Sequence, residues 1–450
     1  MTPDAKLQIF AIKRGMIETR IDVSFFQLMQ KKISVFDMVT LGELCSEEPN
    51  YGSSQSAVKK EHYQQPNYIR ITDFSDVGIE NNHEFVSVEK YSPKDVLKDK
   101  DLLFARTGAS VGKSYIHNKQ IGFSVFAGYC IRFRLNQKKV LPEYVWAYTK
   151  TKCFSSWVQQ TQRKSGQPNI NKEEYKSILI PLPSISVQQE MVTKFIIALE
   201  NRSKKLQQAE ELLAGIDEFV LDTLEIKIPS QADILCWAIK FGMLKQANTF
   251  SPEYFNHERL AVIKTLKQSS IPIFSLEEKV NFQRDLIDTT TSGHKFLGLA
   301  SIQSNTGERV ELEELVTGNA FKYNVRDVLY CRLRPYLNKV YLAETSGVCS
   351  TEFHVMKPQD DSILPEYLAI IMRSKLTLLQ TKHMMTGNTH PRISDEDVKA
   401  LVIPVPSKKV QQKIVDEYKI RTSRARQLRQ EAEKEWQDAR EQFEKELLGE

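Results

Sequence analysis

At 450 residues and 51.9 kDa the chain is too long for one ordinary hydrophobic core, and two or three domains are expected. Hydrophobic residues at 41% and charged residues at 26% exclude an intrinsically disordered chain, and no window approaches the ~18 consecutive apolar residues of a membrane helix. The net charge of +5 and pI near 8.6 permit an anionic partner without demanding one.

In chain order, short strands and turns fill a first domain over 1–183. Tyr68–Thr72 alternates like a strand, Asp101–Gly108 reads as a buried strand ending in a polar turn, and Gly128–Leu135 alternates again. Leu141-Pro142-Glu143-Tyr144 opens a helix, with proline acceptable in a first turn. Residues 184–226 form a long helix whose stripe includes Val192, Phe195, Leu199, Leu206, Leu213, Ile216 and Val220, with Arg202 interrupting it. An apolar linker follows at 227–248, then a second domain at 249–406. A second long helix at 407–450 carries Ile414, Tyr418, Leu428 and Phe443, interrupted by Arg421. Such stripes with charged flanks need a partner helix. The economical solution packs the two helices on each other; a helix lying on its own domain is the alternative. At ~40 residues each helix is ~60 Å long, one to two turns of duplex.

The two halves are copies of one module. Ile180-Pro181-Leu182-Pro183 returns as Ile403-Pro404-Val405-Pro406, Gln188-Gln189 as Gln411-Gln412, and Leu141-Pro142-Glu143-Tyr144 as Leu364-Pro365-Glu366-Tyr367, all at one constant offset along the chain. Asp327 to Arg332 repeats Asp101 to Arg106. The copies diverge most at 45–67 against 280–295. The expected fold class is α+β: two similar globular domains separated by two long α-helices in an antiparallel coiled coil, a pseudo-two-fold repeat.

Two loop pairs carry the polar chemistry. After the buried strand, Arg106, Thr107, Lys113 and Ser114 stand against Arg332, Arg334 and Lys339 in the second copy; such strand-end loops suit DNA backbone or base contacts. Before each Ile-Pro-x-Pro lies a second loop, with Arg163, Lys164, Gln167 and Asn169 in one and Asn388, His390 and Arg392 in the other. Each ends on a cap and a carboxylate, Asn171 with Glu174 and Ser394 with Asp397. Gly108 to Ser114 imitates a phosphate-binding P-loop, but Thr107 stands where the first glycine is required. No catalytic motif is present. His117 and His354 read as structural or surface residues, and the six cysteines lack metal-like spacing, which suits a reducing cytoplasm and no membrane.

Taken together, the twofold arrangement, Asp-[Leu/Val]-Leu-x-x-Arg, Leu-Pro-Glu-Tyr, Gly166-Gln-Pro-Asn-Ile-Asn171, Gly387-Asn-Thr-His-Pro-Arg-Ile-Ser394, and Ile-Pro-x-Pro before Gln-Gln and a long helix resemble the DNA-specificity (S) subunit of type I restriction–modification systems. The match runs from about 20 to 448; the second copy departs in lacking glycines after Arg332. The resemblance implies two target-recognition domains that each read half of a bipartite site in double-stranded DNA. It also implies helices that dock two modification (methyltransferase) subunits, with a restriction translocase subunit able to join. S-adenosylmethionine, ATP and Mg would then belong to the partners, with no cofactor and no catalytic residue here. A subunit of a related restriction family, an enzyme with its own methyltransferase or nuclease site, and a coiled-coil adaptor are the rival readings.

Overall fold

The computed structural model describes residues 34–449 except 76, 80–82, 163–165, 229–235, 248–249, 251–253, 289–295, 313–317, 383, 386 and 388. Two compact units emerge, Met1–Lys205 with Gln430–Glu450, and Leu206–Arg429. Each holds one globular domain and half of each long helix (Ile185–Thr223 and Lys408–Leu448).

In the first unit an antiparallel sheet runs in the order Asn50–Tyr51, Cys130–Phe133, Leu102–Ala105, Ser114–Ile116. Asn67–Ile69 pairs in parallel with Ser124–Phe126, and Met38–Thr40 closes antiparallel on Leu179–Pro181. The expected strand at Tyr68–Thr72 therefore stops early. Arg70 turns the chain instead, its backbone N–H and guanidinium both held by Asp73 (2.7 and 2.8 Å). The expected alternation at Gly128–Leu135 also fails: Cys130–Phe133 is buried on both faces, Arg132 included. The Arg132 guanidinium donates to the Lys94 carbonyl (2.9 Å) and to Glu47, with Nε 4.0 Å from the Asp101 carboxylate, which makes its burial tolerable.

The second unit repeats this plan. Its main sheet runs Val280–Gln283, Phe353–Pro358, Val328–Cys331, Val340–Leu342, all antiparallel. Phe296–Leu297 again pairs in parallel, now with Gly347–Ser350, and Ile273–Ser275 closes on Val402–Pro404. The parallel pair has grown into a four-stranded sheet by adding Asn319–Tyr323 and Leu286–Asp288. In the linker, Phe241–Ala247 is a short helix, and the Trp237 indole N–H donates to the Phe255 carbonyl (2.7 Å). Ile234 and Leu235 of that linker lie outside the described residues.

The repeated motifs turn out to be the joints of the module. Gln188 and Gln411, both fully buried, sit in the first turn of their helices. Gln188 Oε1 accepts from the Leu141 N–H (2.8 Å) while its Nε2 donates to the Pro183 carbonyl (2.9 Å). Gln411 does the same with the Leu364 N–H and the Pro406 carbonyl (both 2.9 Å) and adds the Ser362 carbonyl (2.8 Å). The tyrosines of the repeated tetrapeptide complete the joint, Tyr144 donating to the Pro181 carbonyl and Tyr367 to the Pro404 carbonyl (2.8 Å each). The motif aspartates close turns: Asp101 accepts from the Lys98 N–H and Asp327 from the Asn324 N–H, behind left-handed residues Lys100 (φ 67) and Arg326 (φ 71). Those two cations pair with the motif glutamates, Lys100 with Glu143 (2.7 Å) and Arg326 with Glu366 (3.0 Å), across the turn that strains them.

Within each unit the helix halves run antiparallel. In the first, Lys194 meets Glu446 (3.1 Å), Arg202 meets Glu433 (3.3 Å) and Lys205 meets Glu435 (2.5 Å). These exposed pairs set register more than stability. Burial comes from Phe195, whose ring lies 4.9 Å from Trp436, 5.5 Å from Phe443 and 6.0 Å from Trp146 of the domain. Val192 is buried in the same cluster, and Leu199 packs at its margin. In the second unit Ala209, Ala425 and Leu428 form a small cluster that Leu213 borders. Val220 and Ile414 belong to the domain core, with Ile216 and Tyr418 beside it. Leu206 is half-buried. The stripes thus serve both alternatives, meeting the partner helix and the domain together. The two interruptions are cross-helix contacts: Arg202 is the ion pair above, and Arg421 donates to the Gly215 carbonyl (2.7 Å). A Cβ at Gly215 would lie 2.8 Å from that guanidinium, so the glycine makes room for it.

Replacing Gln411 by Ala strands the buried Leu364 N–H and two carbonyls, and should cost about 2–3 kcal/mol. Denaturant unfolding checks this against Gln412→Ala, an exposed neighbour expected to change stability by less than about 0.5 kcal/mol. Equal effects would show the joint to be dispensable.

Candidate nucleic-acid interface

The two polar loops of each copy, far apart in the chain, are pinned together through the strand-end arginine. In the first unit the Arg106 N–H donates to the Tyr129 carbonyl (3.0 Å) and its own carbonyl accepts from the Ile170 N–H (2.9 Å). One step on, Thr107 bridges to Asn169, and the Gly108 N–H donates to the Pro168 carbonyl (3.0 Å). The second unit repeats the frame: Arg332 N–H to Glu352 carbonyl (2.9 Å), Ile393 N–H to Arg332 carbonyl (3.1 Å), a Leu333–Arg392 bridge, and Arg334 N–H to Pro391 carbonyl (2.7 Å). A third loop, the turn holding Tyr129 or Glu352, therefore joins the expected two. Nothing in the spacing of either residue announced this.

On this shared frame the side chains differ. In the first unit the Arg106 guanidinium lies over the Tyr51 ring at 4.7 Å, and Tyr129 is 63% exposed. Gln167 and Asn169 border Gly108 and Thr107. Lys113 is exposed. Ser114 is a correction: it is fully buried, its hydroxyl within 2.5 Å of Thr149 and 3.1 Å of the Lys150 ammonium, so it holds the strand instead of facing outward. Arg163 and Lys164 lie outside the described residues.

The P-loop imitation is explained by where its N–H groups go. Those of Gly108, Val111, Gly112 and Lys113 donate to the Pro168, Gly108, Ala105 and Ser110 carbonyls. A phosphate cradle needs such donors free. Gly112 (φ 87) is needed for close approach, since a Cβ there would come within 2.8 Å of Val158.

In the second unit Arg392 is gripped by Glu352, its Nη2 at 2.7 Å and Nε at 3.1 Å. Arg334 (φ 49) and Asn338 (φ 51) are both left-handed, and the turn between them exposes Tyr336 (52%). This is how the second loop manages without the glycines of the first. Lys339 is a second correction: its ammonium donates to the Leu299 carbonyl (2.7 Å) and fastens the loop. His390 is exposed, with its carbonyl 3.3 Å from Arg392 Nη1, and Asn388 lies outside the described residues. Behind Arg392 a cleft of about 400 Å³ is lined by Arg284, Arg332, Glu352, His354 and Asp395. Asp395 is the hub: it pairs with Arg284, lies 3.8 Å from Arg332, and stands 3.4 Å from His354 Nδ1. Arginine fans of this kind, held by carboxylates at their rear, suit bidentate recognition of bases or phosphates.

His354 belongs to the wall of this cleft and is buried. Burial, then the charges of Arg332, Arg284 and Lys399, pull its pKa from 6.5 to about 3. The unfolded chain binds this proton below pH ~6.5 and the folded chain only near 3, so stability falls as pH drops through that window, by up to about 1.4 kcal/mol per unit. His354→Gln should therefore flatten the loss of stability between pH 6.5 and 4.5 in urea unfolding. An unchanged slope would place the acid sensitivity elsewhere.

Among the described residues no helix is long and apolar enough to cross a membrane, and no group of three metal-ligating side chains occurs. All six cysteines are unpaired. Over 95 residues the chain is 32% identical to the specificity subunit of the type I restriction enzyme HindI of Haemophilus influenzae, covering 20% of this chain and 21% of that protein. Over 279 residues it is 23% identical to the EcoDI specificity subunit of Escherichia coli, covering 57% and 58%. The chain thus spans only about a fifth to three fifths of the curated relatives it matches. A crystal structure of a type I restriction–modification S subunit from M. genitalium aligns over 93% of this chain and 97% of that one, at 11% identity and a TM-score of 0.48. The model of the type I restriction modification DNA specificity domain matches residues 34–213 and 288–420, well over half of the sequence and one stretch in each copy, and the chain belongs to that family.

Proposed function

We propose that this chain is the DNA sequence-recognition subunit of a type I restriction–modification complex, with each domain reading half of a bipartite site. The observation that carries this is one backbone frame built twice with different side chains on it. Arg106, Tyr51 and Tyr129 occupy the first copy; Arg392, Glu352, Arg332 and Asp395 occupy the second. A scaffold held constant by backbone bonds while its reading groups change is what two unlike half-sites require.

In this reading the chain is not itself catalytic, and the S-adenosylmethionine, ATP and magnesium chemistry belongs to partner subunits. Ile197 and Ile420 support two equivalent docking positions. They occupy the same place in the two long helices by the repeat register, and are 52% and 64% exposed. Two modification subunits would each cover one of them, with a restriction translocase subunit joining the assembly.

Methylation sequencing of cells carrying the neighbouring methyltransferase gene, with and without this chain, tests the function. A methylated bipartite motif that appears only with the chain is expected; methylation that persists without it would refute the proposal. In the purified complex, Arg106→Ala and Arg392→Ala should each cost about 1–3 kcal/mol in duplex binding. Unchanged affinity across a salt series would remove these residues from the interface.

A further inference from the structure

One cleft of the first unit is not accounted for by the loops. About 360 Å³ in volume, it lies between the strand-end loop, the helix Lys152–Thr161 and the last turns of the second long helix. Among the described residues three cations line it, Lys113, Lys150 and Arg440, and no carboxylate does. Lys150 is the built part. It is only 7% exposed, its ammonium donating to the Ser114 carbonyl (3.2 Å) and hydroxyl (3.1 Å) and lying 5.0 Å from the Trp146 ring centre. Arg440 is fixed by Nε, which donates to the Lys150 carbonyl (2.9 Å), so the guanidinium edge is oriented rather than loose. Lys113 is exposed at the mouth of the cleft. The neighbouring carboxylates are turned elsewhere, Glu441 to Lys152 (3.4 Å) and Glu444 to the Cys153 N–H (2.9 Å).

The equivalent cleft of the second unit is charge-balanced instead of cationic. Lys150 has its counterpart in Arg373, which donates to the Val340 carbonyl (2.8 Å). Arg440, however, has its counterpart by the repeat register in Asp217, and with Glu210 it offsets the two cations of that cleft, Arg373 and Arg429. Lys339, the counterpart of Lys113, is turned to the Leu299 carbonyl and does not line it. A fold requirement would be kept in both copies; a cationic cleft kept in one marks a ligand of that copy.

We infer that the first-unit cleft binds a phosphodiester of the DNA backbone through Lys113, Lys150 and Arg440, and that the second unit has no such anchor. This rests on the DNA-reading function proposed above. A buried ammonium and a pre-oriented guanidinium form a strong anion site, because little side-chain entropy is lost on binding. Lys113 shares its loop with Arg106, so the anchor extends the reading surface onto the long helix.

The test is binding of the full-length chain to a labelled 30-base-pair duplex of mixed sequence across about 0.05–0.2 M salt. Arg440→Gln should weaken binding about threefold to tenfold and lower the salt slope by about one, and Arg440→Lys should restore most of the slope. Arg202→Gln, an equal loss of charge at an ion pair on the first long helix, should leave the slope unchanged. An equal effect of Arg202→Gln, or none of Arg440→Gln while Arg106→Ala weakens binding, would overturn the cleft and leave the DNA-reading function intact. Absence of duplex binding by the chain, alone and with its modification subunits, would remove both. Saturable tryptophan quenching by ATP, abolished by Arg440→Gln with duplex affinity unchanged, would overturn the backbone assignment in favour of a free nucleotide. Loss of the modification subunits from Arg440→Gln with duplex affinity unchanged would overturn it in favour of a protein carboxylate.

Discussion

A buried glutamine at the start of each long helix is the constraint on which each module depends. Its amide has an acceptor and donors, and it spends them on a helix-opening N–H and on the carbonyl of the Ile-Pro-x-Pro segment. A fully buried amide is costly unless satisfied, so this arrangement tolerates little displacement. The domain cannot swivel on its helix without leaving an amide and two backbone groups unpaired. Tyr144 and Tyr367 reinforce the joint from the domain side, each reaching the carbonyl of the first proline in that segment. The prolines restrict the intervening backbone, which limits the freedom of the carbonyls that accept these bonds.

The same division recurs at the candidate interface. The strand-end arginines act twice, the backbone stitching three loops into one surface and the side chain remaining to be aimed. Aiming differs between copies. In the first, a tyrosine ring supports the Arg106 guanidinium. In the second, Glu352 and Asp395 hold Arg392, Arg284 and Arg332 from behind. Carboxylate-backed arginines keep a fixed direction, which discrimination between bases requires, whereas a stacked arginine is fixed in plane with its edge available. The cationic cleft beneath Lys113 and its charge-balanced counterpart at Asp217 extend this asymmetry onto the helices.

Much of the architecture was legible from the chain alone. The constant offset between repeated motifs revealed two modules, and the motif order revealed their joints. The paired stripes revealed helices that need a partner, because periodicity reports burial directly. Helix starts at Asn171 and Ser394 were visible from the carboxylate three residues on; Asn171 closes the full box with Glu174, while the Ser394 hydroxyl donates to Asp397. Loop chemistry was legible as residue type, since arginine, lysine and glutamine in turns have few structural uses.

What the tertiary structure alone decided is which of those polar groups are free. Ser114 and Lys339 look like surface ligands in the sequence, yet one is sealed under Lys150 and the other bonded to the Leu299 carbonyl. Tyr129, Glu352, Asp395 and Trp436 drew no attention, because their roles come from neighbours distant in sequence. Arg132 and the strand around it break alternation because a second sheet covers the face that a lone hairpin would expose to water. Periodicity and spacing record how much of a segment must be buried. Which partner satisfies a given hydrogen-bonding group depends on chain crossings that no local pattern encodes.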